Sequence, residues 1–374
     1  VYKRQASVPP VSQLLVERGV TSVEEADRFL HPQLKNLHNP FLLPDMDKAV
    51  ERLNRAMGSK EKIMVYGDYD VDGTTAVALV YKYLQNFYSN IDYFIPTRYE
   101  EGYGISSETI DDFARQGVKL VIILDCGIKA NVEIAHAREH GIDFIICDHH
   151  VPDDELPQAV AILNPKMPGS TYPCPHLSGC GVGYKLMQAF SISNGIPQAD
   201  LEGMLDLVAV SIAADIVPMV DENRVMTFYG LRRLNSNPNM GLRAIIRICG
   251  LTGKEITISD VIFKIGPRIN ASGRMQSGRE AVDLLVSRDI TDAYQKARNI
   301  DQYNKDRKEL DRRITEEANA ILSQRIEAGS NKKSIVIFNK DWHKGIIGIV
   351  ASRLTELYYK PSVVLTLSNG LATG

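Results

Sequence analysis

Apolar residues along the chain gather in short runs divided by segments of helical spacing. Residues 62–66 contain Ile63, Met64 and Val65 in succession, and residues 92–95, 119–124, 144–147 and 159–163 repeat that character. Runs this short, bounded by Gly, Asp and Pro, predict buried strands. The stretches 74–84, 107–116 and 131–140 predict helices, as does the segment from Asp47 with Ala49, Leu53 and Ala56 on one face. Apolar strands alternating with helices predict an α/β fold whose parallel sheet is covered on both faces. Ligands of such sheets bind beyond the carboxyl ends of the strands.

The flanks have a different pattern. Residues 1–50 read as a helical appendage, with Ser22 as the N-cap of a helix opening Val23-Glu24-Glu25-Ala26 and with Pro40 and Pro44 interrupting the chain beyond it. Residues 51–290 form the main α/β domain, in which 179–194 and 201–216 predict helices and Lys264-Ile265-Gly266-Pro267-Arg268-Ile269-Asn270-Ala271-Ser272-Gly273-Arg274-Met275 reads as irregular. Residues 291–330 predict a connector helix, polar and interrupted in its apolar stripe from 293 to 326. Residues 331–374 open a smaller α/β unit, with strands at 334–338 and 362–367 around a helix at 346–358, and read as an incomplete domain.

Composition narrows the function classes. Among 374 residues, 43 Lys and Arg stand against 46 Asp and Glu, a net charge of −3, so any nucleic-acid site must be a local patch. No apolar run approaches the roughly 18 residues of a membrane span. The start Val1-Tyr2-Lys3-Arg4 lacks the apolar stretch of a signal peptide, and the expected compartment is the cytoplasm. Five scattered cysteines make a disulfide framework or zinc ribbon improbable, and Cys174 and Cys180 beside His176 lack the second pair a metal clip needs.

The candidate chemistry lies at the strand ends. Asp68, Asp70 and Asp72 alternate at a strand-to-helix turn bracketed by Gly67 and Gly73; Asp125 ends the run 120–124, and Asp148-His149-His150 ends another. Taken alone, the first group is also compatible with a solvated helix start. A calcium loop is a weak rival, because position twelve counted from Asp68 is Leu79 rather than Glu. Together, three parallel strands ending in carboxylate or imidazole put these groups on one sheet edge, and Asp215 could add another carboxylate from a helix end. Such oxygen-rich donors suit two Mn²⁺ or Mg²⁺ ions and favour hydrolysis of a phosphoester or phosphoanhydride.

These residues, with Asp68-Tyr69-Asp70-Val71-Asp72-Gly73 and Asp148-His149-His150 foremost, resemble the DHH phosphoesterase superfamily, and within it the RecJ-type single-strand-specific exonucleases. The likeness extends through Phe41-Leu42-Leu43-Pro44-Asp45-Met46-Asp47, Pro96-Thr97-Arg98, Glu101-Gly102-Tyr103-Gly104, Leu177-Ser178-Gly179-Cys180-Gly181-Val182, Asp215-Ile216-Val217-Pro218 and Asp341-Trp342-His343-Lys344-Gly345-Ile346-Ile347-Gly348. It implies a parallel-sheet DHH domain joined by a long helix to a smaller DHH-associated domain. Asp68, Asp70, Asp72, Asp125, His149 and Asp215 would hold two ions, Asp125, His149 and His150 would carry catalysis, and Asp148 would orient His149. His150, Arg98, Arg268, Asn270 and Arg274 would bind phosphate, with Arg224 as a weaker candidate and Tyr103, Trp342 and His343 as stacking or packing groups.

The function implied is two-metal 5′→3′ hydrolysis of single-stranded DNA in repair and recombination. Single-stranded DNA is the implied partner, a single-strand-binding protein and a helicase are further candidates, no membrane is involved, and a monomer is the favoured state. Phosphodiesterases of short or cyclic oligonucleotides, pyrophosphatases and a silent DNA-binding scaffold stand as alternatives.

Overall fold

The protein is described from a computed structural model covering residues 9–98, 104–327, 332–368 and 370–374. Two helices, α1 (Pro9–Glu17) and α2 (Val23–Leu30), precede α3 (Met46–Gly58). Ser22 caps α2 as its sequence requires, accepting from Glu25 N–H while the Glu25 carboxylate returns to the Ser22 N–H. Then come β1 (Lys62–Gly67), α4 (Val71–Leu84), β2 (Ile91–Phe94), α5 (Ser107–Arg115), β3 (Val118–Leu124), α6 (Asn131–Glu139), β4 (Asp143–Cys147) and β5 (Ala161–Leu163). All five strands are parallel, in the order β2-β1-β3-β4-β5, so the strand order reverses direction between β1 and β3.

Alternation along β3 shows how both faces are buried. Leu120, Ile122 and Leu124 enter a core shared with α4, α7 (Gly179–Ser193) and α8 (Leu205–Asp215), whereas Val121 and Ile123 enter a core with Ile110 and Phe113 of α5 and Ile134 and Ala137 of α6. The helices α9 (Asp221–Ser236), α10 (Met240–Ile248), α11 (Gly266–Met275) and α12 (Arg279–Leu285) extend the first core. They lead into the long helix α13 (Ile290–Glu327).

Two expectations are corrected. Residues 201–216 do not form one helix; a single turn, Ala199–Glu202, precedes α8. The supposedly irregular stretch 264–275 is helical, a π turn at Val261–Ile265 continuing into α11. Pro267 follows directly on the π turn, in which the Gly266 N–H reaches back to the Val261 carbonyl. At Gly273 any side chain would strike the Tyr69 carbonyl, so close packing on the acidic turn, not propensity, makes this segment a helix.

Past α13, β6 (Ile335–Phe338) and β7 (Ser362–Ser368) pair in parallel around α14 (Lys344–Tyr358), and β8 (Leu371–Thr373) adds antiparallel to β7. Ile314, Ala318 and Leu322 of α13 join Trp342, Ile346, Val350 and Leu354 in a separate core. The architecture is therefore α/β, a five-stranded parallel sheet tied by a long helix to a small second sheet.

Candidate metal centre

Close backbone approach shapes the turn after β1. A side chain at Gly73 would collide with the Asp68 backbone, so the start of α4 folds directly over the strand end. Asp70 is the N-cap of α4, accepting from the Gly73 N–H at 3.0 Å, and Asp72 lies in the first turn, where the helix dipole favours a carboxylate. Asp125 holds φ at +61°, a conformation Asp adopts more readily than most residues. A Cβ at Gly179 would come within 2.6 Å of the Asp125 Cβ, so the start of α7 rests against Asp125.

Three elements thereby meet at the carboxyl edge of β1, β3 and β4, beside the reversal in strand order. Ligand atoms of Asp68, Asp70 and Asp125 lie within 4.8 Å of one another, as do those of Asp72, His149 and Asp215 and those of Asp125, His149 and His150. The groups share members, so the six residues expected to hold ions, with His150, form one continuous cluster. His149 Nε2 lies 3.0 Å from Asp125 Oδ1, 3.7 Å from Asp72 Oδ2 and 3.8 Å from Asp215 Oδ2. Asp72 is gripped from behind: its carboxylate accepts from the Gly179 N–H at 2.6 Å, the Cys180 N–H at 2.8 Å and the Ser211 hydroxyl at 2.6 Å.

The electrostatics of this cluster are unbalanced. Burial and the Asp70 charge push the Asp68 carboxyl up to about 7, and burial with Asp72 raises Asp70. Burial, then Asp72 and Asp70, drive Asp125 well above the ordinary range, and burial with Asp72 brings Asp215 to about 6. Asp68 Oδ1 and His149 Nδ1 are buried without a hydrogen-bond partner, while His149 Nε2 faces the carboxylates of Asp125, Asp72 and Asp215. Carboxylates crowded out of water around an imidazole nitrogen are a donor set that fits divalent cations.

His150 stands at the exposed side. Its Nδ1 lies 2.7 Å from Asp148 Oδ1, and that bond raises the imidazole pKa. Burial alone would raise Asp148, but the bond and charge of His150 outweigh it and hold the carboxyl low. The expectation that Asp148 orients the His149 ring is corrected: Asp148 accepts from the His149 backbone N–H, and the ring it holds is that of His150. Asp148 also accepts from the Ile128 N–H at 3.0 Å, tying the loop after β3 to the same carboxylate.

The arginines divide. Arg98 lies 4.2 Å over the Tyr69 ring and its charge acts on Asp68; Arg274 acts with Arg98 and Arg307, and burial with these like charges lowers its pKa. Arg307, on α13, was not singled out from sequence, since one arginine in a polar helix carries no signal of its own. Asn270, on α11, has its Oδ1 buried without a hydrogen-bond partner. Arg268 does not join them: it bonds Asp301 at 2.8 Å and the Lys264 carbonyl at 2.8 Å. Arg224 bonds the Phe29 carbonyl and lies 3.8 Å over the Phe29 ring, holding α2 to α9. Trp342 is buried, donating to Glu317 at 2.7 Å, which is a packing role, and His343 caps α14 by accepting from the Gly345 N–H. Arg274 reaches the Gly345 carbonyl at 3.3 Å and so links α11 to the second unit. Tyr103 lies outside the described residues.

Residues 62–212 match the family model described as DHH family, N-terminal domain. The single-stranded-DNA-specific exonuclease RecJ of Bacillus subtilis is 39% identical over 98% of this chain, which spans 46% of that protein's length. The Escherichia coli protein of the same name is 34% identical over 96% of this chain and 64% of its own. A crystal structure of exonuclease RecJ bound to manganese superposes with a TM-score of 0.79 at 30% identity, covering 89% of this chain and 82% of that one. The chain thus spans about half to two thirds of these two relatives' lengths.

Proposed function

The chain belongs to the DHH family, and on that premise we propose that it is a two-metal-dependent exonuclease hydrolysing single-stranded DNA from the 5′ end. The observation that carries this reading is the carboxylate-rich cluster at the β1/β3 edge, continuous over seven side chains and buried at Asp68, Asp72, Asp125 and His149. The name shared by its exonuclease relatives supports the substrate. The related manganese-bound structure supports Mn²⁺, and the oxygen-rich donors equally suit Mg²⁺.

Asp68, Asp70 and Asp125 would hold one ion and Asp72, His149 and Asp215 the other, with Asp125 in reach of both groups. Bound divalent ions supply Lewis acidity at a phosphodiester and lower the pKa of water. The chain's own residues do the rest. Arg98, acting on Asp68, and Arg274, acting on Asp70, present positive charge beside the acidic turn and would hold the phosphate. The Asp148 carboxylate beside Nδ1 favours the charged form of the His150 ring, whose Nε2–H would be delivered to the leaving oxygen.

The same reading extends to DNA repair and recombination, to a cytoplasmic monomer, and to a single-strand-binding protein and a helicase as partners. Among the described residues no helix is long and apolar enough to cross a membrane. The decisive experiment digests 5′-labelled and 3′-labelled single strands with Mn²⁺, with duplex as control. Mononucleotides released from the 5′ end and abolished by Asp125→Ala support the proposal. Cleavage confined to short or cyclic oligonucleotides would replace it with the smaller phosphodiesterase reading.

A further inference from the structure

The covering helices α5 and α6 carry a second convergence of metal-binding side chains. His136 and His140 stand four residues apart on and just beyond α6, so their rings lie on one helix face, with centroids 4.7 Å apart. Asp111 of α5 faces them: its Oδ1 lies 2.8 Å from His136 Nε2 and 3.4 Å from His140 Nε2. All three ligand atoms fall within 4.8 Å of one another.

This triad is separate from the carboxylate centre. The helix α6 returns the chain from the end of β3 to the start of β4, so its last turn lies toward the amino ends of the strands. The chemistry differs as well. Two imidazoles and one carboxylate, all partly exposed, favour a borderline nitrogen-preferring ion over Mg²⁺ or Mn²⁺.

We propose that Asp111, His136 and His140 form an additional divalent-cation site, of the Zn²⁺ class, that staples α5 to α6 and leaves a coordination position to water.

The test measures bound Zn²⁺ per chain by equilibrium dialysis and metal analysis, comparing the parent with His140→Gln. The comparison is repeated in an Asp125→Ala background, which impairs the carboxylate centre. The expected result is one fewer ion per chain on loss of His140 in both backgrounds, with a smaller rise in melting temperature on adding Zn²⁺. Asp111→Asn serves as the second variant, and circular dichroism establishes that each is folded. Equal Zn²⁺ content in the parent and in the folded variants overturns the site.

Discussion

Lys185 and Glu222 are wholly buried between α7 and α9, yet each of their charged atoms has a partner. Lys185 donates to Glu222 at 2.8 Å and to the His38 carbonyl at 2.7 Å, while Glu222 also accepts from the His38 N–H and the Tyr172 hydroxyl. Asp68, Asp125 and His149 at the sheet edge are nearly as buried, but the charges crowding them are mostly further carboxylates. Removing an ion from water is costly unless an opposite charge replaces the lost hydration. The first cluster finds that charge within the chain, binding the N-terminal segment to the α/β domain. The second has too little of it, and its carboxylates outnumber the positive groups beside them, Arg98 and His150 on Asp68 and Arg274 on Asp70.

The largest effect that would break this contrast lies in the compensated pair. Lys185→Met leaves Glu222 buried and unpaired and should cost about 3–5 kcal/mol of stability, read by urea unfolding. The folded fraction should keep its specific activity. At the sheet edge the roles reverse: Asp125→Ala should lower nuclease turnover by more than about 100-fold, beyond the loss of a mere outer partner. Its melting temperature in chelator should not fall, since a repelling carboxyl has gone. A large stability loss there would sink the distinction.

The pH dependence sharpens it further. Asp68 is pushed up to about 7 and Asp125 is raised as well, so without metal the folded state holds more protons than the unfolded one. Stability linked to these groups is therefore present in acid and is lost as pH rises from the ordinary carboxylate range through about 7. Melting temperature in chelator should fall over that window, and Mn²⁺ should offset the fall. A profile that is flat, or unchanged by Mn²⁺, would refute the cation-deficient picture.

The smallest effects separate the arginines. Arg98→Gln should raise KM about 10-fold, the worth of one charge-assisted phosphate contact. Arg268→Gln should leave KM unchanged and lower stability by about 1 kcal/mol, because its partner is Asp301 on α13. The reverse pattern in KM would return Arg268 to the phosphate.

Much of the sheet was legible because its signal is local. Apolar runs ending at Tyr66, Leu124 and Cys147 announced strands, and a parallel sheet sends the residues after its strands to one edge. The helix α11 was not legible, since two glycines and a proline argue against it and only contact with Tyr69 makes it favourable. Arginine identity says that a fork is present, not what it grips, so Arg268 and Arg224 were read as phosphate ligands while their partners lie 33 and 195 residues away.

The sequence by itself determined the order strand, acidic turn, helix, and the oxygen and imidazole character of the centre. Both depend only on residue type and on spacing within a few turns. Tertiary structure alone decided that Asp72 is held by Ser211, 139 positions on, that His150 rather than His149 is steered by Asp148, and that Arg307 joins Arg98 and Arg274. Hydrogen bonds and Coulomb forces act over a few ångströms of space, and only the folded chain brings such distant positions that close.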